Sequence, residues 1–259
     1  MSFEPVILGR TGLKVGRLGI GSSYGVPKEA IEEAYERGVN YFYWGALRRK
    51  GMGKAIRNLA KKHREKIVVV LQYFPRVSSL LQWFLERGLK SLKLDYIDVL
   101  LLGYFNKRPS QKIIDKTLDL KEKGLIRFLG ISSHNRSLFP ILEKEKIFDI
   151  FHIRYSAAHR GAEKEVFPYL PKENGPGVVV FNATKHGRLL KESKIPKEEK
   201  VPKSSDCYRF CLSHPSVHVC ITGPKNSEQM REALLTLDKG PMNPEELEWM
   251  RRVGDFVHG

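Results

Sequence analysis

Cysteine is scarce in this sequence, with three residues among 259. Three cysteines in a chain of this size do not make a disulfide framework, so a reducing compartment is favoured. Cys207, Cys211 and His214 are spaced so that a helix could present them as metal ligands on one face. Residues at the same spacing form the face that a helix packs against a protein core. Phe210 and Leu212 lie between these cysteine and histidine residues. The pattern therefore favours packing, and no metal site is predicted.

Long apolar runs are also missing. No uninterrupted stretch approaches the roughly 18 residues that a membrane helix requires. The opening segment, MSFEPVILGR, lacks the layout of a secretory signal peptide, in which a basic stretch precedes an apolar one. These absences predict a cytoplasmic protein with no membrane partner.

Acidic residues are outnumbered, with 29 Asp and Glu against 45 Lys and Arg and a formal net charge of +16. Such an excess attracts phosphate-bearing partners, whether nucleotides or nucleic acid. Much of the charge lies in short runs such as Arg48-Arg49-Lys50 and Lys61-Lys62. These runs are not interleaved with aromatic residues as in a nucleic-acid recognition module. A solvated basic surface is therefore favoured over a nucleic-acid interface.

Short β-branched runs alternate with longer helical patterns, which is typical of βαβ units and a parallel sheet. Eight runs occur: RLGIG (17–21), YFYWG (41–45), IVVVLQ (67–72), YIDVLLLG (96–103), IRFLGIS (126–132), IFHIRY (150–155), VVVFNA (178–183) and HVCITG (218–223). Because a (β/α)8 barrel takes about 250 residues, the sequence predicts one α/β domain, 1–259, with TIM-barrel architecture. A sandwich or a doubly wound sheet is the alternative, but eight strand–helix units favour closure of the sheet.

Segments outside the predicted strands suggest further features. VILGRTGLKVG resembles a β-hairpin that turns at Thr11-Gly12 and closes the bottom of the barrel. Helices are predicted at 28–38 and 80–92, each with a glycine as a stop or local break. The charged, proline-containing segment 191–206 is predicted to be a mobile loop and a candidate lid.

Several motifs occur in an order that points to one family. The segments LGRTGLKVGRLGIG, GVNYF, LDYIDVLLL and GLIRFLGIS follow one another, and HRGAEKEVFP (159–168) and ITGPKNSEQMREAL (221–234) continue the series. Together they resemble the aldo-keto reductases over nearly the whole chain. The resemblance implies a TIM barrel, NADP(H) as cofactor and a small-molecule carbonyl substrate. Fold alone does not establish chemistry, so the site residues are considered individually.

The segment after the last predicted strand favours anion binding. Asn226 is a good N-cap, and Gln229 three residues later can answer it in a near capping box. The first N–H groups of such a helix attract anions, and Lys225 adds a full charge. By resemblance, Gly223, Pro224, Lys225, Asn226 and Gln229 form the site for the adenosine 2′-phosphate, which favours NADPH over NADH. An ordinary surface helix start is the alternative.

The resemblance also implies contacts to the rest of the cofactor. Ser132 and Ser133 end the fifth predicted strand, where the family binds the nicotinamide carboxamide, and Phe181 lies where an aromatic residue stacks on the ring. His152 replaces a common Gln, and either binds the carboxamide or is a hydrogen-bonded barrel histidine. Gly187 and Arg188 lie in the loop that crosses the pyrophosphate, with which Arg188 can pair.

The catalytic positions depart from the family, which uses an Asp, a Tyr, a Lys and a His. Tyr43 stands in place of the Asp and Gln72 in place of the Lys, while Leu102-Gly103 occupy the position of the His. The loop after the second strand is shortened and offers no Tyr at the donor position. An Asp without its Lys would leave a buried charge unpaired, so the two changes are physically consistent.

Two functions follow from this pattern. In the first, the protein is an NADPH-dependent oxidoreductase with an atypical site, in which the Tyr43 hydroxyl, held by Gln72, reaches the substrate carbonyl and donates the proton. In the second, Tyr43 only fills the barrel mouth, and the protein is a non-catalytic NADPH-binding sensor or partner-binding barrel. A basic barrel with a polyanionic partner is a third, weaker reading of the charge.

Overall fold

The computed structural model describes residues 2–45 and 50–258. Eight parallel strands form a closed barrel in the order β10-β3-β4-β5-β6-β7-β8-β9, and a separate antiparallel pair, β1 and β2, precedes it. The strands are β1 Val6–Ile7, β2 Lys14–Val15, β3 Leu18–Gly21, β4 Tyr41–Trp44, β5 Val68–Tyr73, β6 Ile97–Leu102, β7 Ile126–Ser133, β8 Ile150–Arg154, β9 Gly177–Phe181 and β10 Val219–Thr222. Each of the eight predicted runs overlaps one barrel strand, so the predicted α/β TIM barrel is confirmed.

Helices fill most of the intervals between the barrel strands. They are α1 Lys28–Glu36, α2 Lys50–His63, α3 Leu81–Leu92, α4 Gln111–Glu122, α5 Leu138–Glu145, α6 Ala162–Glu165, α7 Ser204–Leu212, α8 Ser227–Lys239 and α9 Pro244–His258. In the described residues, no helix is both long and apolar enough to span a bilayer. The predicted basic run at 48–50 falls mostly on residues 46–49, outside the described residues.

The two glycines of the predicted helices act differently. Gly38 follows α1 with φ +86°, a conformation that a glycine adopts without strain, and the chain turns there into β4. Gly88 instead lies inside α3, where an added Cβ would crowd the side chain of Leu71 in β5. The expectation of a break at Gly88 is therefore wrong, because this glycine allows the helix to pack closely on the barrel. The helix ends at Leu92 and is capped by Lys93, which has φ +55°.

The predicted hairpin is present and covers the lower end of the barrel. Val6 pairs with Val15 in antiparallel register, and the chain reverses through a short 3-10 turn to Gly12 at φ +70°. Leu8 is fully buried and joins the apolar cluster of the barrel interior, which includes Val68 and Val179. The hairpin therefore excludes water from the amino-terminal end of the strands.

The cysteine-containing segment belongs to the core. Cys207 and Cys211 lie in α7 and are buried, and burial raises the pKa of both thiols. The helix ends at Leu212, so His214 lies beyond it, where its ring packs on Phe167 at 4.5 Å. The thiols are therefore held neutral in an apolar environment.

Replacing Leu8 with alanine should destabilise the fold by about 2–4 kcal/mol, because the cavity left at the bottom of the barrel cannot collapse fully. Urea denaturation would measure the loss. Ile7→Ala is the matched control, since Ile7 is 52% exposed. Equal costs for the two variants would contradict the role assigned to Leu8.

Candidate active site

A cavity of about 1060 Å³ opens at the carboxyl-terminal end of the barrel strands. Every barrel strand contributes to its wall, through Gly21, Tyr43, Gln72, Leu101, Ser132, His152, Arg154, Phe181, Ile221 and Thr222. The mouth at this end of a (β/α)8 barrel is where the active sites of this fold lie. The wall continues outward to the start of α8 and to the end of segment 191–206, so the cavity is elongated rather than confined to the barrel axis.

The outer end of the cavity is formed by the start of α8. Asn226 caps this helix, its Oδ1 accepting the backbone N–H of Gln229 at 2.9 Å. In a second hydrogen bond, the side-chain oxygen of Gln229 accepts the backbone N–H of Lys225, also at 2.9 Å. The predicted reciprocal cap is therefore present, shifted by one residue because Gln229 binds Lys225 rather than Asn226. Gly223, Pro224, Lys225 and Gln229 line the cavity, whereas Asn226 is exposed and is not part of its wall.

His152 lies at the inner end of the cavity and is held by a residue that the sequence analysis missed. Its Nε2 is 2.8 Å from the hydroxyl oxygen of Tyr41. Burial lowers the pKa of His152 to about 3, so the ring is neutral. Burial also raises the pKa of Tyr41 far above its usual range, so its hydroxyl keeps its proton. His152 is thus a hydrogen-bonded barrel histidine that also lines the cavity.

The hydrogen-bond partners determine which nitrogen of His152 carries the hydrogen. A neutral imidazole has one N–H and one acceptor nitrogen. If Nε2 carried the hydrogen, the Tyr41 hydroxyl would be left without an acceptor among the described residues, at a cost of about 1–3 kcal/mol. We therefore infer that Tyr41 donates to Nε2 and that Nδ1 carries the hydrogen. Nδ1 has no partner within the described chain, which leaves it able to donate to a ligand.

Ser132 and Ser133 are consecutive in β7 but have different surroundings. Ser132 lines the cavity and its Oγ accepts the backbone N–H of Tyr104 at 3.0 Å, which leaves the hydroxyl hydrogen free to donate. The hydroxyl of Ser133 binds the backbone of Asn135, at 2.9 and 3.1 Å, and is not part of the cavity wall. The reason is the alternation of side chains along a strand. A cofactor contact by Ser133 stays a prediction, which this geometry does not favour.

The loop after β9 lies beside the cavity and contains several residues with positive φ. Asn182, Lys185 and His186 have φ between +48° and +64°, and Gly187 has φ +80°. Asn182 fixes this path by accepting the backbone N–H of His186 at 2.8 Å. Gly187 lines the cavity, whereas Arg188 is exposed next to the wall.

The side chain of Tyr43 lines the cavity and its ring lies against Gly45. A Cβ on Gly45 would overlap the Tyr43 ring, so a glycine at this position is what lets the ring lie there. The ring centroid is 5.9 Å from that of His152. Burial, with the nearby Tyr104 as a second cause, raises the pKa of Tyr43 well above its usual range. The hydroxyl is therefore protonated at any physiological pH.

Gln72 does not hold Tyr43, which corrects the predicted pairing. The amide of Gln72 lies over Gly103, and a Cβ added to Gly103 would overlap the Nε2 atom of Gln72. No hydrogen bond between Gln72 and Tyr43 occurs in the described residues, and Gln72 Oε1 is buried without a partner among them. The physical reason is that Gly103 leaves room for the amide, which turns toward β6 instead of toward β4. The loop expected to be shortened falls on residues 46–49, outside the described residues.

Further polar side chains lie at the mouth of the barrel. His134, Tyr104 and Arg154 line the cavity, and the ring centroids of Tyr104 and His134 are 5.1 Å apart in an edge-to-face contact. Tyr73 is a packing residue instead, since its hydroxyl donates to the carbonyl of Val77 in the following loop. Alternation along β8, where His152 and Arg154 are two residues apart, was the signal that would have placed Arg154 on the wall.

The sequence of this chain matches the model of the Aldo/keto reductase family over residues 27–206. The chain belongs to the aldo/keto reductase family. Among curated relatives, L-galactose dehydrogenase of Arabidopsis thaliana is 26% identical, with 71% of this chain and 66% of the plant protein aligned. The uncharacterized oxidoreductase YqkF of Bacillus subtilis is 24% identical over 93% of each chain.

Solved structures of the family have the same fold. The holo form of aldo-keto reductase AKR11C1 from Bacillus halodurans superposes with a TM-score of 0.80 at 22% identity, covering 97% of this chain and 96% of that one. An aldo-keto reductase from Klebsiella pneumoniae, solved in complex with NADPH, gives a TM-score of 0.80 at 18% identity over 98% and 96% of the two chains. The barrel is therefore that of an aldo-keto reductase.

His152→Gln should make the fold less sensitive to acid. The pKa of His152 is about 3 in the folded protein against 6.5 ordinarily, so between these values the unfolded chain binds more protons. Stability therefore falls as the pH is lowered through this window, by up to about 1.4 kcal/mol per pH unit for one site. Chemical denaturation at pH 6.5 and at about two units lower would measure the slope, which should be smaller in the variant.

The control for this experiment is His186→Gln, at an exposed position of the same cavity. It should leave the acid dependence of the unfolding free energy as it is in the unmodified protein. An identical slope for His152→Gln and the unmodified protein would show that His152 is not buried in its neutral form.

Proposed function

We propose that this protein is an NADP(H)-dependent oxidoreductase that reduces a carbonyl substrate, with Tyr43 as the proton donor of an atypical active site. The observation that carries the proposal is the elongated cavity. One end is an anion-attracting helix start, and the other is a polar barrel mouth with a protonated phenol. Membership of the aldo/keto reductase family supports oxidoreductase chemistry, and the NADPH complex of the Klebsiella relative supports the nucleotide.

The outer end fits the phosphate of NADPH. The capped start of α8 offers backbone N–H groups and a favourable helix dipole, and Lys225 adds a positive charge at the same place. This combination favours the 2′-phosphate of NADPH over the free hydroxyl of NADH. Gly187 and Arg188 are next to the path between the two ends, and the described chain offers Arg188 no ion-pair partner, so it is available to the pyrophosphate.

The inner end fits the nicotinamide. The hydroxyl of Ser132 and the Nδ1–H of His152 are both free to donate to a carboxamide oxygen, as argued above from their partners. Phe181 ends β9 on the same wall and presents a partly exposed ring for stacking. A planar amide-bearing ring therefore meets both polar and aromatic groups here.

The protein's own part in the chemistry is orientation and proton transfer. Bound NADPH supplies the hydride. The Tyr43 hydroxyl binds the substrate carbonyl oxygen and donates its proton as negative charge develops there. Because burial keeps the pKa of Tyr43 high, the hydroxyl is in the protonated form that donation to a carbonyl oxygen requires. No cation among the described cavity residues lowers that pKa beside the hydroxyl, and loss of a tuned general acid typically costs about 10²–10⁴-fold in rate.

The lack of a charged partner beside Tyr43 among the described cavity residues favours the alternative, a non-catalytic NADPH-binding barrel. Of the described residues that line the cavity, Glu232 is the one carboxylate, and it accepts a hydrogen bond from Ser205 at the α8 end. Neither an Asp nor a Lys lies beside Tyr43 on the described wall. A cofactor cradle without a tuned acid is what a sensor would retain.

Tyr43→Phe separates the two functions. It should abolish NADPH-dependent reduction of aldehydes, because the proton donor is lost, while leaving NADPH binding unchanged. Loss of NADPH absorbance in a screen of aldehydes measures turnover, and quenching of protein fluorescence measures binding. Tyr169→Phe, at a 64% exposed position, is the matched control and should retain full turnover.

Each remaining outcome is informative. Turnover that survives in Tyr43→Phe would contradict the donor role of Tyr43. An unmodified protein that binds NADPH but reduces none of the aldehydes would support the non-catalytic barrel instead.

A further inference from the structure

Arg154 lies in the wall of the cavity without a side-chain partner among the described residues. It is the last residue of β8 and is partly buried. Its guanidinium group has neither a hydrogen bond nor an ion pair with any described residue. Several other buried or partly buried arginines have acidic partners: Arg10 with Glu143, Arg64 with Asp98, Arg209 with Glu246 and Arg251 with Glu163. Arg17 donates to backbone carbonyls instead. A guanidinium that is partly desolvated and unpaired in a cavity is a ready binding group for an anion.

The surroundings of Arg154 are positive or neutral rather than acidic. Its charge lowers the pKa of His134 and of His159, after burial as the larger cause for both, and Lys185 acts on His159 in the same direction. The cavity carboxylate Glu232 lies at the opposite end, in α8. No described acidic residue of the wall therefore competes with an incoming anion for Arg154.

Arg154 belongs to the substrate side of the cavity. It is directly opposite Phe181 in the strand register, at the end where the nicotinamide ring is proposed to lie. Tyr104 lies on this side of the wall. Its ring contacts that of His134 edge-to-face and, after burial as the larger cause, Tyr104 contributes to the raised pKa of Tyr43. The groups available to the cofactor phosphates, Lys225 and the start of α8, are at the other end. Arg154 is therefore left for the substrate.

We propose that the substrate carries a carboxylate, and that Arg154 binds this group while the carbonyl lies at Tyr43. This inference rests on the proposed reductase function for the identity of the carbonyl, but the anion site itself does not require turnover. A planar guanidinium pairs with a carboxylate through two parallel N–H···O bonds, which fixes orientation as well as affinity. The enzyme then discriminates between an aldehyde acid and its uncharged analogue through one residue.

The test measures binding and turnover with matched probes. Benzoate and benzamide are titrated by calorimetry into the NADP⁺ complex of the full chain, and p-carboxybenzaldehyde and p-tolualdehyde are compared by kcat/KM. We expect a preference of about tenfold or more for the charged member of each pair, the usual effect of a charge-assisted pair. Arg154→Gln should abolish both preferences, Arg154→Lys should keep part of each, and NADPH binding should be unchanged in both variants.

Lys172→Gln provides the matched control, since it removes one positive charge at an exposed position in the loop before β9, at the opposite end of the barrel. It should keep the full preference. Equal binding of benzoate and benzamide by the unmodified protein, or a preference that survives Arg154→Gln, would overturn the proposal. A protein that fails to bind NADPH would contradict the proposed function instead, and benzoate binding to the free protein would still report on Arg154.

Discussion

Closure of the parallel barrel is the constraint on which the rest of this structure depends. Eight short strands must meet edge to edge, so the inward side chains of all strands share one narrow interior. At the amino-terminal end of the strands, the hairpin closes that interior with Leu8. At the carboxyl-terminal end, the last inward side chain of each strand points into the mouth of the barrel. Closure therefore brings residues that are far apart in sequence together in the wall of one cavity.

The pair of Tyr41 and His152 shows what closure adds. These residues are separated by 111 positions, yet their side chains meet across the barrel at 2.8 Å. Both side chains are buried, which keeps the imidazole neutral, and the hydrogen bond fixes which nitrogen can donate. The inner end of the cavity, where this pair lies, is therefore polar but uncharged at these two residues. Tyr43, lying over Gly45, adds a protonated phenol. Among the described residues of the wall, positive charge comes from Lys203, Lys225 and Arg154.

Much of the fold could be predicted because its signals are local. The eight β-branched runs gave the strands, and the spacing of Asn226 and Gln229 gave the helix cap, shifted by one residue. Gly88 was read as a break because a sequence does not show which glycines face another element. The contact between Tyr43 and Gln72 was expected from their sizes, but the space at Gly103 draws the amide away.

The residues missed at the site share a physical cause. Tyr41 and Arg154 acquire their importance from partners, or from the absence of partners, that only the closed barrel brings near. Alternation along β4 and β8 could have put both on the inner face, since each lies two residues from a residue already assigned to the site. Whether an inward arginine is paired or free depends on long-range geometry, which a single sequence does not encode locally.

The central claim is that this cavity binds NADPH with its phosphate end at the start of α8. The most direct measurement is a fluorescence titration of the purified protein with NADPH and, in parallel, with NADH, repeated on Lys225→Glu. We expect tight binding of NADPH, much weaker binding of NADH, and a smaller difference between them in the variant. Failure to bind either nucleotide, or equal affinity for both that the variant leaves unchanged, would contradict it.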